Sequence, residues 1–294
     1  LSELLADCES DSELMADPVS VSAVNVREMR HEYDRATKLP SSLVEEEAKV
    51  SSEAQHAWQT SRKENDFSSF QPYLEKIVDL LQRKAECYGW AEGGEPWDAL
   101  AEDYEPGCTA ASVSEVFIPL REQLQSFLDE LMGSETSPSN AFNEVTLPIE
   151  QQKTFVKAIA AQIRFDFEAG RLDESTHPFC GGTHCRDVRM TTRFHEDNVN
   201  DAIGSTMHES GHGIYEQGLL FEHVGTQMGQ AVSLGIHESQ SRLWENQVGR
   251  TTSFWKVVLP WLKEEFPNFP DWGAETVDLL VNEVKPDYIR VEAD

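Results

Sequence analysis

Over most of the chain, apolar positions recur every three or four residues, the period of an amphipathic helix. The segment SAVNVREMRHEYDRATKLP (22–40) carries that period and stops at Pro40, which cannot continue a helix. SSLVEEEAKVSSEAQHAWQTSRKEN (41–65) resumes it, with Ser41 or Ser42 as the expected N-cap. In FQPYLEKIVDLLQRKAECYGW (70–90), Tyr73, Leu74, Ile77, Val78, Leu80 and Leu81 form an apolar stripe, and the helices near Trp58 and Trp90 read as core. GGEPWDALAEDYEPG (93–107) is a Gly/Pro-punctuated connection around a short helix. Ser112 or Ser114 opens a helix through EVFIPLREQLQSFLDELMG, GSETSPSNAFN (133–143) is a loop, and PIEQQKTFVKAIAAQIRFDFEAG (148–170) reads as one long helix ended by Gly170.

The period changes once. In DVRMTTRF (187–194), Asp187, Arg189, Thr191 and Arg193 alternate with Val188, Met190, Thr192 and Phe194, which predicts a half-buried strand. Helical spacing returns at about Asn198 and runs nearly to the end. The expected fold is mainly α, one helical body over 1–294 with a small β-sheet just before the helix that begins there.

Composition narrows the function classes. A chain of 294 residues, 39% of them hydrophobic, can bury a substantial core and is not a disordered composition. Fifty-three acidic against 24 basic residues give a net charge of −29, which disfavours nucleic acid and anionic membranes as partners, because both need a basic face. No apolar run is long enough to span a bilayer, and the first twenty residues lack the basic and apolar regions of a secretory leader. Five scattered cysteines do not form a disulfide framework and read as reduced thiols. Cys180 and Cys185 bracket Gly-Gly-Thr-His, but the spacing fits no usual zinc knuckle.

The candidate chemistry lies in TMHESGHGIYEQG (206–218). Residues i and i+4 share a helix face, so His208 and His212 can offer two imidazole nitrogens to one cation. Glu209, offset around the helix, can serve as general base without ligating. The alternative is a coincidental pair of histidines on a helix. Gly211 and Gly213 cost helix propensity, about 1 kcal/mol each, and their small size would let another element or a substrate come close.

A catalytic site needs a third protein ligand. Glu216 is one turn beyond His212, but three ligands along one helix close a tetrahedral face poorly. Downstream, GIHESQSRLWENQVG offers His237, Glu238 and Glu245. Glu238 is preferred, and Arg242, one turn on, could hydrogen-bond and orient its carboxylate. Without a metal, Glu238 would be a solvent-facing ion-pair partner.

HPF (177–179), DVRMT (187–191), HESGH (208–212), HESQ (237–240) and IRVEAD (289–294) occur in an order that resembles the carboxypeptidase Taq family of HExxH metallocarboxypeptidases. The resemblance covers nearly the whole chain. It implies a helical fold with a central groove, ligation of Zn2+, Co2+ or another divalent ion by His208, His212 and Glu238, and Glu209 as general acid/base. It also implies peptide substrates with free C-termini and a cytoplasmic homodimer. Relatives carry further helices before residue 1, and after IRVEAD they continue with a Gly-x-x-Gln-Asp-x-His-Trp motif. On this reading residues 1–294 are a partial catalytic domain.

An exopeptidase must also hold a carboxylate, which a guanidinium does bidentately. Arg189, on the predicted strand with Asp187, and Arg290 in IRVEAD are the first candidates, with Arg193 behind them; the alternative is local pairing with acids such as Asp187, Glu196 and Glu292. His177, ahead of Pro178 and Phe179, is a groove or length-limiting candidate. His184, His195 and His223 read as surface or capping residues. Two other readings stay open: an HExxH aminopeptidase or endopeptidase, and an acidic helical protein that binds a peptide or partner without catalysis.

Overall fold

The structure, a computed structural model, describes residues 1–134, 141–142 and 145–284. They fall into two compact units, Leu1–Met132 and Gly133–Asp294. Among the described residues no helix is long and apolar enough to cross a membrane.

The first unit contains α1 (Ser2–Ser10), α2 (Val21–Lys38), α3 (Ser41–Glu64), α4 (Phe67–Tyr88), α5 (Pro96–Ala101) and α6 (Ala110–Met132). The Ser20 hydroxyl caps α2 by accepting from the Ala23 amide. Pro40, and neither Ser41 nor Ser42, is the N-cap of α3, and no side chain caps that end. Asn65, in the left-handed region at φ 55°, ends α3, and Asp66 caps α4, so two long helices double back across two residues. Leu43, Val50 and Leu80 form the buried seam between them. The expectation of core at the aromatic ends is corrected: Trp90 follows α4 and is 41% exposed, and Trp58 is half-buried beneath the Arg62 guanidinium.

The second unit holds α7 (Ile149–Gln162), β1 (Gly170–Glu174), β2 (Phe179–His184), β3 (Asp187–Thr192), α8 (Val199–Gln217), α9 (Leu234–Arg242), α10 (Thr252–Glu265) and α11 (Ala274–Val281). α9 passes directly into a π-helical turn, Leu243–Val248. The long helix expected over 148–170 is corrected. It stops at Gln162, Arg164 turns left-handed at φ 86°, and Gly170 begins a strand. Phe165 and Phe167 meet edge to face, and Phe165 packs where a Cβ on Gly213 would collide with it.

The sheet order is β1-β3-β2, with β1 parallel and β2 antiparallel to β3. Only β3 shows alternation. Val188, Met190 and Thr192 are fully buried, and this face meets α8, where Ser210 Oγ lies 3.5 Å from Met190 Sδ and the Thr192 and Ser205 hydroxyls are 2.6 Å apart. Gly170 and Gly182 lie against β3 so closely that a Cβ at either would sit 2.4 Å from a backbone oxygen. β1 and β2 are short and polar, so no period announced them. Arg193 lies just past β3. The main apolar core runs from Phe142 through α7, the sheet and α8 to α10 and α11, with Trp255, Leu262 and Val277 among its buried residues.

Candidate metal centre

α8 is the central helix of this unit, capped by Asn198 accepting from the Asp201 amide. Ten of its residues are buried, including His208 and Glu209. α9 is capped by Ser233 and crosses α8 at Gly211, where a Cβ would lie 2.5 Å from the Gln240 carbonyl oxygen. This close approach carries Glu238 to the two imidazoles.

His208, His212 and Glu238 each present a ligand atom, and these atoms lie within 4.8 Å of one another. Glu238 Oε2 is 3.7 Å from His208 Nε2, and Oε1 is 3.5 Å from His212 Nε2. Donors held about 2.0–2.1 Å from one tetrahedral ion sit roughly 3.4 Å apart, so the group fits a divalent ion of zinc size. A His-His-carboxylate donor set also suits such an ion chemically.

Each donor is oriented from behind. His208 Nδ1 is 2.9 Å from Glu245 Oε2, which Arg242 also contacts at 3.3 Å, while Arg250 reaches the other oxygen, Oε1, at 3.4 Å. His212 Nδ1 is 2.7 Å from His237 Nδ1, and His237 Nε2 is 2.8 Å from Glu216 Oε1. The buried Ser241 hydroxyl reaches Glu238 Oε2 at 2.8 Å. The expected contact from Arg242 to Glu238 is thus corrected: Arg242 pairs with Glu245, three residues on, and Ser241 orients Glu238. Glu245, the second choice as a ligand, and Glu216 both stand behind a histidine.

These contacts set the protonation of the site. Burial disfavours a charged His208, but the hydrogen bond to Glu245 and the charges of Glu209, Glu245 and Glu238 outweigh it and hold the imidazole above its usual range. Burial and the neighbouring His208 push His212 down to about 4, Glu238 opposing. Burial raises the Glu245 carboxyl, yet its bond to His208 and the two arginines keep it below the usual range.

A cavity of about 240 Å³ opens beside His208 and Glu209, lined further by His177, Pro178, Arg193, Arg242, Glu245 and Arg250. His177 Nδ1 is buried without a hydrogen-bond partner. Arg193 is held bidentately by Asp201 at 2.9 and 3.0 Å. Arg189 instead grips Asp187 at 2.8 and 2.9 Å on an exposed face, and neither residue lines this cavity. Arg290 lies outside the described residues, with the rest of IRVEAD. His184, read as a surface or capping residue, accepts from the Arg186 amide. Sequence reasoning missed Ser241 and Arg250, and offered His237 only as a possible ligand, where the structure puts it behind His212. The Glu-x-x-Ser and Glu-x-x-x-x-Arg spacings carry no signal of their own.

The family model for "Carboxypeptidase Taq (M32) metallopeptidase" matches residues 1–294. Thermostable carboxypeptidase 1 of Thermus thermophilus is 43% identical over 290 residues, covering 96% of this chain and 57% of that protein. Carboxypeptidase 1 of Bacillus subtilis is 36% identical, covering 90% and 53%. The crystal structure of M32 carboxypeptidase from Deinococcus radiodurans R1 superposes with a TM-score of 0.88 at 35% identity, covering 99% of this chain and 57% of that one. The chain thus spans about half the length of the curated relatives it matches. A match along its whole length, with a superposition this close, establishes that the chain belongs to the carboxypeptidase Taq (M32) metallopeptidase family.

Proposed function

We propose that the protein carrying this chain is a metal-dependent carboxypeptidase that removes C-terminal residues from peptides. The observation that carries the reading is the convergence of His208, His212 and Glu238 beside the buried carboxyl of Glu209. In this reading the three side chains hold a divalent cation, zinc by default, with cobalt or another divalent ion also accepted. The cation supplies Lewis acidity, lowering the pKa of water and polarising the scissile carbonyl. Glu209 takes a proton from the attacking water and returns it to the leaving amine. Glu245 and His237 hold the two imidazoles so that their Nε2 atoms face the cation.

The cavity's arginines support recognition of a free carboxylate. Arg242 and Arg250 each give Glu245 only part of a five-donor guanidinium, and Arg193 stands across the cavity on Asp201. His177, with a spare buried nitrogen at the cavity wall, is assigned a substrate contact. Arg189 and Asp187 are assigned a supporting role on the strand beside α8, and Arg290 is assigned a carboxylate contact from the family motif. Residues 1–294 are read as part of one catalytic domain. A cytoplasmic homodimer completes the reading; the five free cysteines support a reducing compartment.

The deciding experiment measures metal content and hydrolysis of an N-blocked peptide with a free or an amidated C-terminus. One bound metal, with stepwise loss of single residues from the free-carboxylate peptide only, is expected. Equal cleavage of both peptides would point to an endopeptidase, and metal-free protein without turnover to a binding protein.

A further inference from the structure

His237 is next to the carboxylate donor Glu238 in sequence, yet its ring faces His212. The two Nδ1 atoms are 2.7 Å apart, so one proton lies between them. With both rings neutral, two assignments exist. If His237 were the donor, His212 would carry its own proton on Nε2, the atom that faces Glu238. His237 would then turn a bare Nε2 lone pair toward the Glu216 carboxylate at 2.8 Å. If His212 is the donor, both contacts have one donor and one acceptor: His212 Nδ1–H to His237 Nδ1, and His237 Nε2–H to Glu216 Oε1. Only this assignment leaves His212 Nε2 free to ligate.

The relay is also braced. The Tyr215 ring stands edge-on to His237, with centroids 4.8 Å apart, and the Tyr215 hydroxyl accepts from the Val232 amide just before α9. Glu216 is one turn beyond His212 on α8, so the relay leaves that helix at His212, passes through α9 and returns at Glu216. His208 has no such intermediary, because Glu245 accepts from it directly.

We propose that His237 is a positioning residue for the cation site: backed by Glu216, it holds His212 in the Nδ1–H tautomer with Nε2 turned to the cation. This rests on the metal-centre reading above. A ligating histidine that loses such an acceptor typically costs about 10–100-fold in metal affinity.

The test is competition for Zn2+ between a chromophoric chelator and the full-length protein, with the visible spectrum of the Co2+-loaded protein as a second readout. His237→Ala is expected to weaken Zn2+ binding about 10–100-fold and to alter the Co2+ spectrum. His237→Gln, whose amide can both accept from His212 and donate to Glu216, should recover most of the affinity. Glu216→Ala should weaken binding about tenfold. Wild-type affinity in His237→Ala, or no recovery by His237→Gln, overturns the proposal. Should His237→Ala fail to fold, wild-type affinity in Glu216→Ala overturns it. A wild-type protein that binds no Zn2+ would instead sink the metal-centre reading itself, so the two failures are distinct.

Discussion

Gly211 on α8 and Ser241 on α9 meet backbone to backbone: a Cβ on the glycine would lie 2.6 Å from the Ser241 Cα. No side chain can yield there, so a larger residue must part the helices. The separation would draw Glu238 away from the imidazoles. Gly211→Ala is therefore expected to cost about 1–3 kcal/mol of stability and to weaken metal binding as well. Thermal unfolding with and without Zn2+ checks this; wild-type values for both would show that the contact does not set the site.

The role of Glu209 separates chemistry from metal binding. It is buried next to His208, whose imidazole its charge helps to hold protonated, and it is not one of the three converging donors. Glu209→Gln should keep stoichiometric metal while kcat falls by about 10²–10⁴-fold. Retained turnover at full metal occupancy would exclude it as the proton carrier.

The carboxylate behind His208 has an effect on the free protein too. Glu245→Gln removes the charge that holds His208 above its usual range. Its titration, followed by NMR in the metal-free protein, should move down in pH, and Zn2+ affinity should fall about 10–100-fold. Ser241→Ala, which strips a buried hydroxyl from Glu238 Oε2, should lower affinity without moving His208. An unmoved His208 in Glu245→Gln would refute the pairing.

Cys180 on β2 reports the field behind the site. Burial first, then the negative charges of Glu209 and Glu216, push its thiol up to about 12. A raised folded value stabilises the fold below the unfolded pKa of about 8.5, and that contribution fades as pH rises toward 12. At pH 8 native Cys180 should resist maleimide, and the labelling rate should rise about tenfold per pH unit from there. Mass spectrometry of native and unfolded protein, both labelled at pH 8, makes the comparison; equal rates would contradict the burial.

The helical spacing in 22–90 and after 198 was legible, because one apolar face per helix is a local pattern. The strand at 187–192 was legible for the same reason: its fully buried residues, Val188, Met190 and Thr192, alternate. β1 and β2 were not, since strands of five and six residues with one buried position between them owe their existence to pairing with β3. The end of α7 was misjudged because Ile159, Ile163 and Phe167 fall four residues apart, a helical spacing that runs on past Arg164, where the backbone turns left-handed.

At the site, the chain alone determined that His208 and His212 share a face, since a helix makes residues four apart neighbours. It also placed a carboxylate in each of two downstream positions. It favoured the first of them, and the tertiary structure gives the two different places. The crossing of α8 and α9 at Gly211 brings Glu238 to both Nε2 atoms, and the π-helical turn brings Glu245 behind His208. It likewise sent Arg189 to Asp187 on the surface and placed Arg242 and Arg250 at the cavity. Spacing along one helix is a covalent property that sequence carries. The approach of two helices depends on side-chain volume at their crossing, and that is settled only when both are packed.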